Sequence, residues 1–159
     1  MVFKKRVNIN RKELTILEFD MLQGKFTESD ARQLNPLVLA YIGDSVYDLF
    51  IRTYLISNNR NMNVNHINIK AVSFVKAHSQ SSLIRELIDQ LTDEEILIFK
   101  RGRNAKSGTT PKNADVVEYR AATGFEALLG YLYLKEDNNR LNFILNKVIE
   151  IREGNEDVL

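Results

Sequence analysis

The chain has 159 residues, 44% of them apolar, and a net charge of +1, enough for one soluble domain with its own core. It has no cysteine and only two histidines, His66 and His78, which excludes disulfides, thiolate chemistry and Cys- or His-rich metal cages. Any metal is expected to be a hard, oxygen-bound cation. Near-neutrality carries no message about partners, so a nucleic-acid surface would have to come from local clustering of charge. No apolar stretch approaches a membrane span, and the basic start Met1–Arg6 is not followed by an apolar leader region, so a cytoplasmic protein is expected.

Two prolines, seven glycines and apolar residues recurring every three or four positions predict an all-α fold, a helical bundle. Residues 1–33 are expected to form an N-terminal arm; within it Leu14, Ile16, Leu17, Phe19 and Met21 fit either a short docking helix or a loosely ordered segment. Residues 34–159 read as the main domain. Asn35-Pro36 is a cap followed by proline at the first helical position, opening a helix to about Ser57. After the polar break Asn58–Asn63, a second helix carries Ile67, Ile69, Val72, Phe74 and Val75, and a third is expected over Ser81–Leu91. Thr92-Asp93-Glu94-Glu95 matches the capping box and starts a fourth, with Ile96, Leu97 and Phe99. Lys100–Asn113 loses the apolar pattern and gains Gly102, Gly108 and Pro111, which predicts a loop. A fifth helix resumes near Ala114, and a sixth starts near Asp137.

Three features stand out against this helical background. Asp44 sits in the apolar run Tyr41-Ile42-Gly43-Asp44-Ser45-Val46-Tyr47, where it is either a solvated residue at the edge of the buried stripe, beside Asp48, or a carboxylate that needs a cation, a donor or a proton. Glu126 stands among Ala122, Gly124, Ala127 and Gly130, small residues that would let another helix approach; alternatively it is an ordinary surface glutamate. If two such helices crossed, their carboxylates would repel unless a divalent cation lay between them, and Mg²⁺ takes one or two carboxylates plus substrate phosphate. The third feature is Lys100–Asn113, with five basic residues, no acidic one and no aromatic. It suits the backbone of a duplex better than splayed single-stranded bases, or else it is a solvated charged loop. Neither histidine lies at a helical ligand spacing from another, so both are expected at the surface or core edge.

The runs Leu34–Tyr47, Arg101-Gly102-Arg103-Asn104-Ala105-Lys106-Ser107-Gly108 with Pro111-Lys112-Asn113, and Phe125-Glu126-Ala127-Leu128-Leu129-Gly130-Tyr131-Leu132-Tyr133 resemble the ribonuclease III family. The loop resembles its small branch, Mini-ribonuclease III, in particular. The resemblance spans about Leu34 to Leu145. It implies a dimerising all-α nuclease domain in which Asp44 and Glu126 are catalytic and hold Mg²⁺, and Arg101, Arg103, Lys106 and Lys112 bind RNA. The implied reaction is cleavage of double-stranded RNA to 5′-phosphate and 3′-hydroxyl ends, in maturation of the large-subunit ribosomal RNA precursor, with a ribosomal protein or pre-ribosomal particle as a further partner. With no separate duplex-binding domain expected, binding would rest on the homodimer surface and the basic loop. Leu37, Ala40 and Thr123 stand where the larger enzymes carry further acidic residues, which puts a two-metal site in doubt. The competing expectation is a non-catalytic RNA-binding or ribosome-assembly module on the same fold; a helical adaptor fits the basic loop less well.

Overall fold

The computed structural model describes residues 20–156, and within them there are helices and turns but no strand. Seven α-helices follow in order: α1 (Glu28–Gln33), α2 (Pro36–Asn58), α3 (Val64–Val75), α4 (Ala77–Leu87), α5 (Asp93–Asn104), α6 (Val116–Leu134) and α7 (Asn138–Glu156). The all-α expectation is met. Leu14, Ile16, Leu17 and Phe19 lie outside the described residues, while Met21 belongs to a one-turn 3-10 helix, Asp20–Leu22, and is 86% exposed.

The helix starts are set by side chains that satisfy open backbone donors. Asn35 Oδ1 accepts from Leu37 N at 2.8 Å, with Pro36 in the first turn. Thr92 and Glu95 form the expected capping box, and Asp115 caps α6 through the amides of Val117 and Glu118. A second capping box, Thr27 with Asp30, starts α1, a helix that the sequence reading did not include and whose Ala31 is fully buried.

Two boundaries differ from expectation for the same reason, packing against α6. The third helix was expected from Ser81 but α4 begins at Ala77, because Gln80 and Ser81 are buried and stand where apolar residues would have signalled a helix. The loop was expected from Lys100, yet α5 continues to Asn104. Gly102 lies so close to α6 that a Cβ there would stand 2.7 Å from Ala127 Cβ and 2.9 Å from Gly124 Cα, and this contact holds the last turn of α5 in place.

Helix α6 is the axis of the bundle. From Ala121 to Leu132 nearly every residue is buried, as befits a helix that is apolar all round. Helices α2, α5 and α4 pack around it, and α7 covers the end through Leu141, Ile144, Leu145 and Val148.

Candidate active site

The closest approach in the bundle is the α2–α6 crossing. A Cβ on Gly43 would collide with the Glu126 carbonyl oxygen, and one on Gly130 with the Leu39 carbonyl oxygen. Here the two backbones touch because neither helix carries a side chain at the contact, which is what glycine in a helix interior makes possible at a cost of about 1 kcal/mol relative to alanine. Tyr47 and Phe125 close the crossing edge to face, their ring centroids 5.4 Å apart, and the buried Tyr47 hydroxyl donates to Phe74 O at 3.3 Å.

Asp44 follows Gly43 and Glu126 lies on the facing turn of α6, so the crossing places the two carboxylates side by side. Asp44 is exposed, at the edge of the buried face of α2; Glu126 is half-buried. Burial pushes the Glu126 carboxyl up to about 7, helped by the charge and the hydrogen-bonding proximity of Asp44, while a hydrogen bond from Gln80 pulls the other way. That donor is Gln80 Nε2, 3.2 Å from Glu126 Oε1 and 3.1 Å from Val75 O. Among the described residues no group of three or more His, Asp or Glu side chains is placed to hold a metal ion. Thr123, three residues before Glu126, is uncharged and donates to Tyr119 O at 3.0 Å.

A hard cation fits this pair. The donors are carboxylate oxygens, the only protein ligands that Mg²⁺ commonly requires, and their mutual repulsion together with the elevated Glu126 carboxyl is the electrostatic strain that a divalent charge relieves.

The basic stretch divides in two. Arg101 is turned inward: its guanidinium donates through Nη1 to Arg32 O and through Nη2 to Leu34 O, at 2.5 and 3.0 Å, closing the turn between α1 and α2. Arg103 lies over the Phe99 ring, 5.6 Å from its centroid, and Phe99 packs on Gly124 of α6. Lys106 and Lys112 are exposed on the loop between α5 and α6. Gly102, in the last turn of α5 before this loop, packs against Thr123, Gly124 and Ala127, the stretch of α6 that carries Glu126. His78 is exposed and its Nδ1 lies 2.6 Å from Glu118 Oε1, in keeping with a surface position.

Gln80 was not anticipated. Its signal is faint in the sequence, a glutamine within His78-Ser79-Gln80-Ser81-Ser82, and only the fold shows it to be 1% exposed and aimed at Glu126.

Comparison with known proteins gives the family. Residues 37–137 match the Ribonuclease III domain family. The Mini-ribonuclease 3 of Clostridium tetani is 54% identical over 129 residues, covering 81% of this chain and 85% of that protein. Those of Thermoanaerobacter and Enterococcus faecalis are 47% and 46% identical, each over 80% of this chain and over 89% and 98% of their own lengths. A crystal structure of a Fusobacterium nucleatum protein, 33% identical, superposes with a TM-score of 0.69 over 77% of this chain and 98% of that one. Family match, identity and fold together make the chain a member of the ribonuclease III family, in its Mini-ribonuclease 3 branch.

Proposed function

We propose that this endoribonuclease cuts double-stranded RNA with Mg²⁺ held by Asp44 and Glu126, acting as a cytoplasmic homodimer on the large-subunit ribosomal RNA precursor. The observation that carries the reading is the meeting of those two carboxylates at a glycine-mediated helix crossing. When bound, Mg²⁺ supplies a positive charge that offsets the build-up of negative charge on the scissile phosphate. Asp44 and Glu126 contribute the anionic oxygens that fix its position. Water adds to phosphorus in line, the bond to the 3′ oxygen breaks and a proton passes to that oxygen, leaving a 5′ phosphate and a 3′ hydroxyl. Arg103, Lys106 and Lys112 hold neighbouring phosphates, and Arg101 braces the base of the loop that carries them.

The homodimer is supported by an apolar stripe on the outward face of α2: Val38, Tyr41 and Leu49 are 50%, 80% and 47% exposed. A second copy covering this stripe would lie beside Asp44 and pair two sites for the two strands of a duplex. Among the described residues no helix is long and apolar enough to cross a membrane. A ribosomal protein or pre-ribosomal particle would supply the remaining grip on the precursor.

The test is incubation of the purified protein with duplex RNA, with Mg²⁺ and with chelator, with mapping of the product ends and sedimentation equilibrium in parallel. Metal-dependent cuts with the stated ends, by a species of twice 18.4 kDa, are expected. Binding of the duplex without cleavage at any Mg²⁺ concentration would instead identify a non-catalytic RNA-binding module.

A further inference from the structure

We propose that Gln80 is a positioning residue of the cation site, its side-chain N–H fixing the Glu126 carboxylate and its side-chain carbonyl receiving a hydrogen bond from a water that arrives with the cation. The proposal rests on the reading of Asp44 and Glu126 given above.

Buried side chains with polar groups are few among the described residues, and a glutamine 1% exposed on a helix is out of place unless both ends of its amide are used. One end is. Val75 O and Glu126 Oε1 are both acceptors, so the NH₂ must face them and the orientation of the amide is settled by its partners. Val75 O is the last carbonyl of α3, so the amide is anchored on a rigid helix end before it reaches Glu126. Held at Oε1, the Glu126 carboxylate cannot rotate away from Asp44. Without this donor, a half-buried carboxylate beside a second one would turn toward solvent or keep its proton.

The other end is not used. Gln80 Oε1 is buried with no hydrogen-bond partner, one of two such side-chain atoms among the described residues. A glutamine serving only to join α4 to α3 would use its N–H alone, and the desolvation of its buried Oε1 would go uncompensated. The stranded oxygen and the nitrogen on Glu126 belong to one planar amide, so the acceptor lies next to the carboxylate pair, closed to solvent until a cation and its waters enter. Mg²⁺ keeps several of its waters, whose O–H groups are strong donors, and acceptors around a metal site that receive such hydrogen bonds are a large part of its affinity.

The experiment compares wild type, Gln80→Met, which keeps length and volume, and Gln80→Asn, which keeps the amide but is one methylene too short to span Val75 O and Glu126. Mn²⁺ binding to the RNA-free protein is followed by electron paramagnetic resonance, with Asp44→Asn as the reference for a lost site. Melting in chelator and the Mg²⁺ dependence of single-turnover cleavage are measured on the same samples. Both Gln80 variants are expected to melt cooperatively in chelator, somewhat below wild type because Val75 O loses its donor, to bind Mn²⁺ about 10–100-fold more weakly, and to need correspondingly more Mg²⁺ for cleavage, with the rate at saturating Mg²⁺ less affected. Wild-type Mn²⁺ affinity in a folded Gln80→Met protein would overturn the proposal while leaving the nuclease reading intact. Loss of folding in both variants would assign Gln80 to the fold alone and overturn it equally. A wild-type protein that neither binds Mn²⁺ nor cuts RNA would overturn both readings together.

Discussion

Replacing Glu126 with glutamine should stabilise the metal-free protein at alkaline pH and leave its stability unchanged in acid. In the folded chain the Glu126 carboxyl is raised from 4.5 to about 7, first by burial and then by Asp44. Between those two values the folded state keeps a proton that the unfolded state has already released, so stability falls as pH rises through the window and is level above it. At about 1.36 kcal/mol for each tenfold change in proton affinity, the fall amounts to roughly 3 kcal/mol. Glutamine has the shape of the protonated acid at every pH and carries none of this dependence. Urea unfolding in chelator, from pH 4.5 to 8, should show variant and wild type converging at the acid end and the variant ahead by up to roughly 3 kcal/mol at the other. Titrating groups remote from the Asp44–Glu126 pair are common to both proteins and cancel in the difference. Added Mg²⁺ should narrow the gap at pH 8, since it binds only the folded wild-type site. A difference that stays flat from pH 5 to 8 would refute both the burial of Glu126 and its coupling to Asp44.

Asp44→Asn should melt at or slightly above the wild-type temperature in chelator, since it removes a repulsion, yet lose on the order of 100-fold or more in single-turnover cleavage with duplex binding in Ca²⁺ largely retained; near-normal cleavage would remove Asp44 from the mechanism. Neutralising Lys106 and Lys112 together should lower the dependence of log affinity on log salt by about two, whereas Arg101→Ala should leave that slope alone and cost about 1–3 kcal/mol of stability, because it strands the carbonyls of Arg32 and Leu34. Mobility shifts over a salt series and thermal melts separate the two effects. Gly43→Ala should cost about 3 kcal/mol or more by forcing α2 and α6 apart, while Gly108→Ala, with nothing within 4 Å of the added Cβ, should stay within about 0.5 kcal/mol. Calorimetry of both variants tests whether the crossing is as tight as the structure makes it.

The parts of this molecule legible in the sequence are those governed by local chemistry. Asn35-Pro36 and Thr92-Asp93-Glu94-Glu95 announce helix starts because a cap is satisfied within three residues of itself, and both are found where expected. Thr27-Glu28-Ser29-Asp30 carries the same kind of signal for α1, but with aspartate in place of the usual glutamate and amid a polar stretch, where no apolar run marks the helix that follows. Periodicity identifies Asp44 and Glu126 as acids out of place but cannot bring their helices together, since nothing within α2 refers to α6. The contacts that do so, Gly43 on Glu126 O and Gly130 on Leu39 O, join positions more than eighty residues apart. Arg101 shows the reverse failure. By composition it belongs to the basic loop, but one more turn of helix α5, stabilised by Gly102 against α6, turns it toward the α1–α2 connection.

The same close crossing explains why the site is both strained and stable. Gly43 and Gly130 let two backbones approach to contact, so the side chain that follows Gly43 and the one on the facing turn of α6 have no room to separate, and Glu126 loses part of its hydration. In a less tightly packed pair of helices the two acids would drift apart and each would ionise freely in water. Here Leu39, Tyr47, Phe125, Leu128 and Leu129, all fully buried around the crossing, stabilise the approach by far more than the roughly 3 kcal/mol that ionising Glu126 costs there, at about 1.5–3 kcal/mol for each large side chain removed from water. The core thus keeps the two carboxyl groups together in the absence of a counter-charge. A cation entering such a site finds its ligands already in place and displaces a proton from Glu126 as it binds. Its affinity should therefore rise about tenfold per pH unit below pH 7 and level off above, a dependence that calorimetric Mg²⁺ titrations in buffers of different ionisation enthalpy would reveal as proton release. Titrations that release no proton at pH 6 would show that Glu126 is already ionised in the free protein.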